Sequence, residues 1–289
     1  MTIVLEKYHG LGSDFIIYDP AKNSMPLSPA RIRLLCDRNF GVGGGGLLYG
    51  PLHNGDRIAL RVFNPDGSEA EKTGNGVRVF SKYLFDSGLV KGESVTLSTP
   101  GGDVDVRILN RDASLSRVLM GRATFMSEQI PVSGPPREVV NEDMTFAGKK
   151  YAVTCVSIGN PHCVIPMEEI SPEKARTLGK VVETSPQFPN RINLQLVKIL
   201  DRETIAIEIF ERGAGYTLAS GSSSCAAAAA VHRLGLVGDR VAVHMPGGRL
   251  VIEVTGPDYA VHMSGTVARV GTFTAAREFH DLLLEKGDA

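Results

Sequence analysis

The sequence has no excess of charge of either sign and no long apolar run. Its 31 Lys and Arg residues nearly balance its 32 Asp and Glu residues, so the formal net charge is −1. Nucleic-acid binding needs a basic surface, and this balance argues against that role. No apolar stretch reaches the roughly 18 to 20 residues of a membrane span, and the N-terminal MTIVLEKYHG lacks the features of a signal peptide. We therefore expect a cytoplasmic protein with neither a nucleic acid nor a membrane as partner.

Cysteine is also scarce. The 289 residues include four cysteines, and no two of them form a CxxC pair. This usage favours buried, reduced thiols in a cytosolic protein. The four are Cys36, Cys155, Cys163 and Cys225.

The sequence does contain a repeat of itself at a constant offset of 147 residues. The segment from Phe63 to Val90 lies over the segment from Phe210 to Val237 without a gap. The same offset places residues 58–62 on residues 205–209, which gives one alternating strand pattern before each glycine-rich turn. Because one offset holds across separate blocks, we infer a duplicated domain.

Strand patterns outnumber helix patterns. Short segments rich in β-branched residues and bounded by Gly, Pro, Asn or Asp predict strands along the whole chain. Helices are predicted from Ser28 to Arg38, from Ser171 to Lys180 and after each glycine-rich turn. The run Ala226–Ala230 suits a helix enclosed by a sheet, because small side chains let backbones approach closely. The predicted fold class is α+β, with two pseudo-symmetric domains, each a curved, mostly antiparallel, barrel-like sheet around a central helix.

The domain boundaries follow from the repeat. A chain of 289 residues fits about two domains. We predict a first domain of residues 1–121 with 266–289 and a second domain of residues 122–265. The last strand, near Val267 to Phe273, and the final helix are expected to return to the first domain.

Both glycine-rich turns begin a helix, at Gly74–Gly76 and at Gly221–Ser224. A helix N-terminus binds a carboxylate or phosphate because its first N–H groups are free and its dipole is positive there. The offset places Thr73 on Ser220, so each start also carries a hydroxyl. Two opposed helix starts predict a small carboxylate ligand at the internal two-fold axis.

Five motifs resemble those of the diaminopimelate epimerase family, in the same order and over nearly the whole chain. They are HGLGSDF (His9–Phe15), FNPDGSEAEKTGNGVR (Phe63–Arg78), SIGNPHCV (Ser157–Val164), FPNRINL (Phe188–Leu194) and ERGAGYTLASGSSSCA (Glu211–Ala226).

The resemblance implies two similar domains with the active site in the cleft. It also implies racemisation or epimerisation at an amino-acid α-carbon, as in lysine biosynthesis, without pyridoxal phosphate or a metal. One residue removes the α-proton and another reprotonates the opposite face. The implied partner is a small amino acid or carboxylate, and a homodimer is one possible assembly.

The chain departs from the family at the residues that carry the chemistry. The family places a cysteine before each helix-start glycine, where this chain has Thr73 and Ser220. An unperturbed thiol titrates near about 8.5, whereas an alcohol is a far weaker acid and needs an adjacent base. Ser13 replaces the family's Asn, Gly46 its Gln and Tyr216 its Glu.

Five residues are retained at positions where the family grips its substrate, namely Asn64, Asn160, Asn193, Glu211 and Arg212. The predicted substrate-binding residues are Ser13, Asn64, Gly74, Asn75, Asn160, Asn193, Arg212, Gly221 and Ser222. The predicted catalytic residues are Thr73, Ser220, Lys72, His162 and Glu211.

Several of these residues have a structural alternative. Asn64 and Asn193 could cap a turn or a strand end, and Arg212 could form a buried ion pair with Glu211. His162 is a helper near the base in the family, but an isolated histidine is more often structural. Lys72 lies at a helix N-terminus that disfavours its ammonium form, so it is either a proton carrier or a solvated lysine on the turn.

Three hypotheses remain open from the sequence. The first is a cofactor-independent amino-acid epimerase or racemase in which Lys72, His162 or Glu211 moves protons near the two hydroxyls. The second is a related isomerase or dehydratase, which needs a single base. The third is a non-catalytic amino-acid-binding protein.

Overall fold

The computed structural model describes residues 2–54, 57–70 and 74–286. The chain divides into two compact units, Met1–Val118 with Gly265–Ala289 and Leu119–Ser264. The boundaries 121/122 and 265/266 inferred from the repeat remain a prediction. We call the two units the first and the second unit and describe each by itself.

The fold is mixed α/β and consists mostly of strands. The helices are α1 (Pro29–Cys36), α2 (Gly74–Asp86), α3 (Pro172–Glu183), α4 (Gly221–Arg233) and α5 (Arg277–Glu285), with a 3-10 turn at Ser127–Gln129. The strands are β1 (Val4–Gly10), β2 (Ser13–Tyr18), β3 (Leu47–Asn54), β4 (Arg57–Phe63), β5 (Glu69–Ala70), β6 (Ser94–Thr99), β7 (Gly102–Ile108), β8 (Leu115–Arg122), β9 (Glu142–Phe146), β10 (Lys149–Ser157), β11 (Pro161–Pro166), β12 (Asn193–Asp201), β13 (Thr204–Glu211), β14 (Gly215–Thr217), β15 (Arg240–Met245), β16 (Gly248–Thr255), β17 (Ala260–Thr266) and β18 (Ala268–Thr274).

In the first unit the strands pair mainly with their neighbours in sequence. Strand β1 is antiparallel to β2, β2 is parallel to β3, and β3 is antiparallel to β4. Strand β4 then pairs in parallel with β6, which continues antiparallel into β7 and β8. The short strand β5 pairs with the end of β4, just before α2.

The second unit has the same order of pairings. Strand β10 is antiparallel to β11, β11 is parallel to β12, and β12 is antiparallel to β13. Strand β13 pairs in parallel with β15, which continues antiparallel into β16 and β17. The short strand β14 pairs with the end of β13, just before α4.

Helix α4 is enclosed by strands of the second unit, as its alanine run predicts. Residues 225–231 of this helix have no exposed surface, and the helix packs against β10, β11, β12, β13, β15 and β16. A helix with no polar face can be buried all round, and alanine side chains allow the strands to approach it closely. This packing fixes the position of the α4 N-terminus.

The predicted starts of α1 and α3 and the predicted ends of α2 and α4 are confirmed, whereas α1 ends at Cys36 instead of Arg38 and α3 at Glu183 instead of Lys180. Ser28 caps α1 and Ser171 caps α3, each followed by a proline in the first helical turn. Helices α2 and α4 end just before Gly88 and Gly235, whose φ of 71° favours glycine. Leu89 and Leu236, the next residues, donate their N–H groups back into the last helical turn.

The C-terminal segment returns to the first unit. Strand β18 pairs antiparallel with β1, which confirms the predicted return of the last strand. Leu283 of α5 is buried in the same hydrophobic cluster as Ile16, Leu35 and Phe63. The second unit has its own cluster around Phe146, Leu194 and Phe210, among others.

All four cysteines are buried free thiols, as predicted. Burial raises the pKa of Cys36 to about 11, and Cys155 and Cys163 face each other across β10 and β11. Within the described ranges, the helices are all too short or too polar to cross a membrane.

Gly179 of α3 has no room for a side chain, and its replacement is expected to destabilise the second unit. A Cβ atom at this position would lie 2.6 Å from Cβ of Phe210, the residue before Glu211. We expect Gly179→Ala to lower the free energy of unfolding by about 3 kcal/mol, because overpacking outweighs the gain in helix propensity. Urea denaturation measures the change.

The matched control for this substitution is Gly238→Ala. The nearest atom to its Cβ would be the Arg202 carbonyl oxygen, at an ordinary 3.7 Å. A loss at Gly238 as large as that at Gly179 would contradict the packing argument.

Candidate active site

Ser220 forms the N-cap of α4 and receives two hydrogen-bond contacts at its Oγ. The Ser223 N–H donates to Ser220 Oγ at 3.3 Å, and Ser222 Oγ lies 3.4 Å from the same atom. The side chain is buried. The first N–H groups of a helix have no intrahelical partner, and in α4 Gly221 and Ser222 carry them. This end of the helix therefore suits a negative charge.

Glu211 ends β13, and its half-buried carboxyl interacts with the side chain of Ser220. Desolvation by burial raises the pKa of Glu211, and the hydrogen bond from Ser220 opposes part of that rise. A carboxyl whose pKa is raised toward neutral can both accept and return a proton. Glu211 and Ser220 therefore place a carboxyl beside a hydroxyl at a helix N-terminus.

Asn160 connects Ser222 with His162. Its Nδ2 donates to Ser222 Oγ at 3.4 Å, and its Oδ1 lies 2.9 Å from His162 Nε2. Asn160 follows Gly159, whose φ is 94°, at the turn between β10 and β11. The structure thus brings four of the predicted site residues of the second unit, namely Ser220, Ser222, Asn160 and His162, into one hydrogen-bonded group.

His162 is a neutral imidazole. The side chain is fully buried, and desolvation lowers its pKa to about 3, with a smaller contribution from the charge of Arg212. It also contacts the side chain of Gln195 in β12. A histidine with this pKa cannot hold a second proton near neutral pH, so it acts as a hydrogen-bonding group in the resting site.

Asn193 and Arg212 are positioned by backbone groups. Asn193 Nδ2 donates to the Pro161 carbonyl at 2.7 Å, and its Oδ1 accepts from the Arg212 N–H at 2.8 Å. The strand-end capping considered for Asn193 is therefore present. Arg212 is exposed and donates to the Asn190 carbonyl. The alternative of a buried ion pair with Glu211 is wrong, because Arg212 is exposed.

The first unit carries the other predicted residues. Asn64 Nδ2 donates to Ser68 Oγ at 2.9 Å, and the Asn64 backbone carbonyl accepts from the Gly67 N–H. Asn64 therefore caps a turn, as the structural alternative has it. Asn75, in the first turn of α2 after Gly74, is buried and accepts a hydrogen bond of 2.6 Å from Arg78. Ser13 begins β2. Thr73 and Lys72 lie outside the described residues.

Two departures from the family have a structural account. A Cβ at Gly46 would lie 2.9 Å from the Phe63 carbonyl oxygen, so this backbone leaves no room for a side chain there. Tyr216 lies under the guanidinium of Arg176 and donates to Glu208 Oε2 at 2.7 Å. Burial and this hydrogen bond raise the pKa of Tyr216 to about 12.

Sequence reasoning did not single out Gln195. It is fully buried and its Nε2 donates to Ser223 Oγ at 3.0 Å, within the same polar group. The available signal was a glutamine between Leu194 and Leu196, two residues after Asn193 and so on the same strand face.

Comparison with known proteins gives a consistent result. The sequence model of the diaminopimelate epimerase family matches residues 5–126 and 154–270. The chain is 48% identical over 265 residues to diaminopimelate epimerase 2 of a Nostoc species, covering 91% of this chain and 92% of the relative. It is 38% identical to diaminopimelate epimerase of Moorella thermoacetica, covering 91% and 96%.

Solved structures show a similar fold at low sequence identity. A probable proline racemase from Agrobacterium radiobacter matches with a TM-score of 0.68 at 16% identity, covering 95% of this chain and 93% of that one. A hydroxyproline epimerase from Agrobacterium vitis matches with a TM-score of 0.67 at 15% identity, covering 96% and 93%.

Proposed function

The chain belongs to the diaminopimelate epimerase family of cofactor-independent amino-acid isomerases, and we propose that it moves the α-proton of an amino acid with Glu211 and Ser220. The observation that carries this proposal is a half-buried carboxyl beside the hydroxyl that caps a helix N-terminus. Diaminopimelate is the first candidate substrate, because the relatives are named for it. A cytoplasmic location and a homodimer remain predictions.

In the proposed step, Glu211 supplies the base that Ser220 lacks. The Glu211 carboxylate takes the hydroxyl proton while Ser220 Oγ takes the α-proton from carbon. The electron pair left on the α-carbon is delocalised into the adjacent substrate carboxylate. The Ser223 N–H and the helix dipole stabilise negative charge that develops on Oγ. The reverse transfer returns a proton to carbon.

The substrate carboxylate is proposed to bind at the N–H groups of Gly221 and Ser222. Charge neutralisation there makes the α-proton more acidic, because the carbanion places negative charge on that carboxylate. Asn160, held by His162 and Ser222, is a further donor. Asn193 acts by holding the backbone at Pro161 and Arg212, and the exposed Arg212 guanidinium is the proposed contact for the rest of the substrate.

The opposite face of the α-carbon needs a second proton carrier. We propose Thr73 or Lys72 for this role, with Ser13, Asn64, Gly74 and Asn75 as binding residues of the first unit. The support is the offset of 147, which places Thr73 on Ser220. The identical order of strand pairings around α2 and α4 supports a fold of two pseudo-symmetric domains, each a barrel-like sheet around its helix.

Exchange of the α-proton with deuterated water tests the function. We expect LL- and meso-diaminopimelate, or another amino acid in a broad panel, to gain one deuterium per epimerised centre and to interconvert. Proton NMR follows the loss of the α-signal, and chiral chromatography follows the stereoisomers. The absence of exchange with every member of the panel would contradict the proposal.

A second candidate is a one-base reaction, namely double-bond migration or dehydration of an unsaturated or hydroxy acid. It is favoured by the presence, among the described residues of the second-unit site, of one carboxyl with a pKa raised toward neutral. Product mass distinguishes the candidates, because dehydration removes one water. Binding of an amino acid in calorimetry with no change in any substrate would instead support the non-catalytic alternative.

A further inference from the structure

Two buried side chains behind the candidate site, Gln195 and His162, are each left with one unpaired polar atom. Gln195 Nε2 donates to Ser223 Oγ at 3.0 Å. With the amide in that orientation, neither Gln195 Oε1 nor His162 Nδ1 has a hydrogen-bond partner among the described residues, although the two side chains are in contact. Buried polar atoms are almost always paired, so this arrangement points to an amide that faces the other way.

The direction of the hydrogen bonds can be deduced from the carboxyl outward. In the proposed pairing, Ser220 donates its one hydroxyl proton to the Glu211 carboxylate. The link between Ser220 and Ser222 therefore needs Ser222 as its donor. Since the hydroxyl proton of Ser222 is then used, the link to Asn160 needs the Asn160 amide N–H, as observed.

The same assignment of donors and acceptors extends through His162 to Gln195. Asn160 presents Oδ1 to His162, so His162 must carry its proton on Nε2. A neutral ring with a proton on Nε2 has a bare Nδ1. Nδ1 is paired if the Gln195 amide turns by half a rotation and presents Nε2 to it. Gln195 Oε1 then accepts from the Ser223 hydroxyl, and both unpaired atoms are satisfied.

We propose that Gln195 is a positioning residue that holds His162 as the Nε2–H tautomer and thereby aims the Asn160 amide N–H at Ser222. Each link in the resulting chain has one donor, from Ser223 through Gln195, His162, Asn160, Ser222 and Ser220 to the Glu211 carboxylate. This inference rests on the proposed pairing of Glu211 with Ser220. It implies that the buried first half of β12, residues 193–197, orients the side chains of the site.

Nitrogen NMR of the histidines tests the tautomer without any need for turnover. Protein labelled with ¹⁵N-histidine shows which ring nitrogen of each neutral histidine carries the proton, and the spectrum of His162→Gln assigns the signal. We expect protonated Nε2 and bare Nδ1 for His162, unchanged between pH 8 and pH 5 because its pKa is about 3. Protonated Nδ1 in the wild-type protein would overturn the proposal.

Substitutions at Gln195 provide the second arm. An ionised glutamate only accepts hydrogen bonds, so Gln195→Glu is expected to move the proton of His162 to Nδ1 or to produce the imidazolium. Gln195→Leu offers no partner and is expected to give a mixture of tautomers. Persistence of pure Nε2–H in Gln195→Glu would contradict the proposal.

The matched controls lie side by side in α4. Ser223→Ala removes the group that orients Gln195 and should also give mixed tautomers. Ser224→Ala removes an equally buried hydroxyl, which bonds the Ser220 carbonyl and Met245 instead, and should leave the His162 tautomer unchanged. A change of equal size in both variants would indicate general loss of packing and would overturn the specific role of Gln195.

The NMR experiment tests the role of Gln195 and the exchange assay tests the proposed function, so either can be contradicted without the other. If the tautomer is as expected and no amino acid exchanges its α-proton, the inference about Gln195 stands and the proposed function falls. If exchange occurs, we expect Gln195→Leu to lower kcat about 10-fold or more with a smaller change in KM. An unchanged kcat in a variant with altered tautomers would show that Gln195 does not position the reactive groups.

Discussion

Glu211→Gln is expected to lower the rate of α-proton exchange by a factor of about 10² to 10⁴, the usual contribution of a general base. The amide keeps the size of the side chain and can still accept a hydrogen bond from Ser220. It cannot take the hydroxyl proton, and an unassisted alcohol is too weak a base for an α-proton. Deuterium incorporation under single-turnover conditions measures the loss.

Glu208→Gln is the matched control for this substitution. Glu208 lies on the same strand, β13, and its carboxyl accepts a hydrogen bond from Tyr216 rather than from a residue of the site. We expect its exchange rate to stay within a factor of about 3 of the wild-type rate, as for a substitution away from the reacting groups. Exchange in Glu211→Gln at a rate close to that of Glu208→Gln would rule out Glu211 as the base.

The pH dependence provides a second readout of the same substitution. Burial raises the pKa of Glu211 in the folded protein, so the basic form, and with it the exchange rate, increases as pH rises through that raised value. The folded state also binds this proton more tightly than the unfolded state does. The stability that protonated Glu211 contributes is therefore lost as pH rises from the unfolded pKa to the folded pKa. Above the folded pKa, the free energy of unfolding no longer changes with the titration of this group. Glu211→Gln should lack both changes.

Much of the second unit could be predicted because its signals are local. Ser171 with the following proline fixed the start of α3, and Gly235 fixed the end of α4, since caps depend on a few adjacent residues. The alanine run predicted burial because it offers no polar face and its small side chains suit a helix enclosed by a sheet. The constant offset then located Ser220 at a helix start without any knowledge of contacts.

The hydrogen-bond partners could not be predicted in this way, because they come from distant parts of the sequence. Asn160 and Ser222 are 62 residues apart, and Gln195 meets His162 only because β12 lies beside β11. The neutral state of His162 depends on complete burial, which a residue type does not reveal. Arg212 was misassigned in one alternative because the sequence does not show which way a side chain at a strand end points.

Replacing Ser220 with cysteine is expected to raise the exchange rate at pH 8 by about 10-fold or more. An ordinary thiol titrates near about 8.5, and a helix N-terminus lowers that value. The thiolate removes an α-proton without first passing its own proton to Glu211, whereas the Ser220 hydroxyl depends on that transfer. Exchange of the substrate in deuterated water measures the gain, and the rate of alkylation by iodoacetamide measures the reactivity of the new thiol directly.

Ser224→Cys is the control for Ser220→Cys. It adds a thiol to the same helix but away from the α4 N-terminus. Ser224 is fully buried one turn into α4, where no helix N–H group is free, and the four native cysteines are buried as well. We expect rapid alkylation and increased exchange in Ser220→Cys alone, since its thiol sits where the dipole and the Ser223 N–H favour negative charge. Equal alkylation of both variants would show that the N-terminus of α4 does not activate an acid. Exchange that appears only when Thr73→Cys is added to Ser220→Cys, in an otherwise inert protein, would favour the non-catalytic binding protein, because the native hydroxyls would then be unable to carry protons.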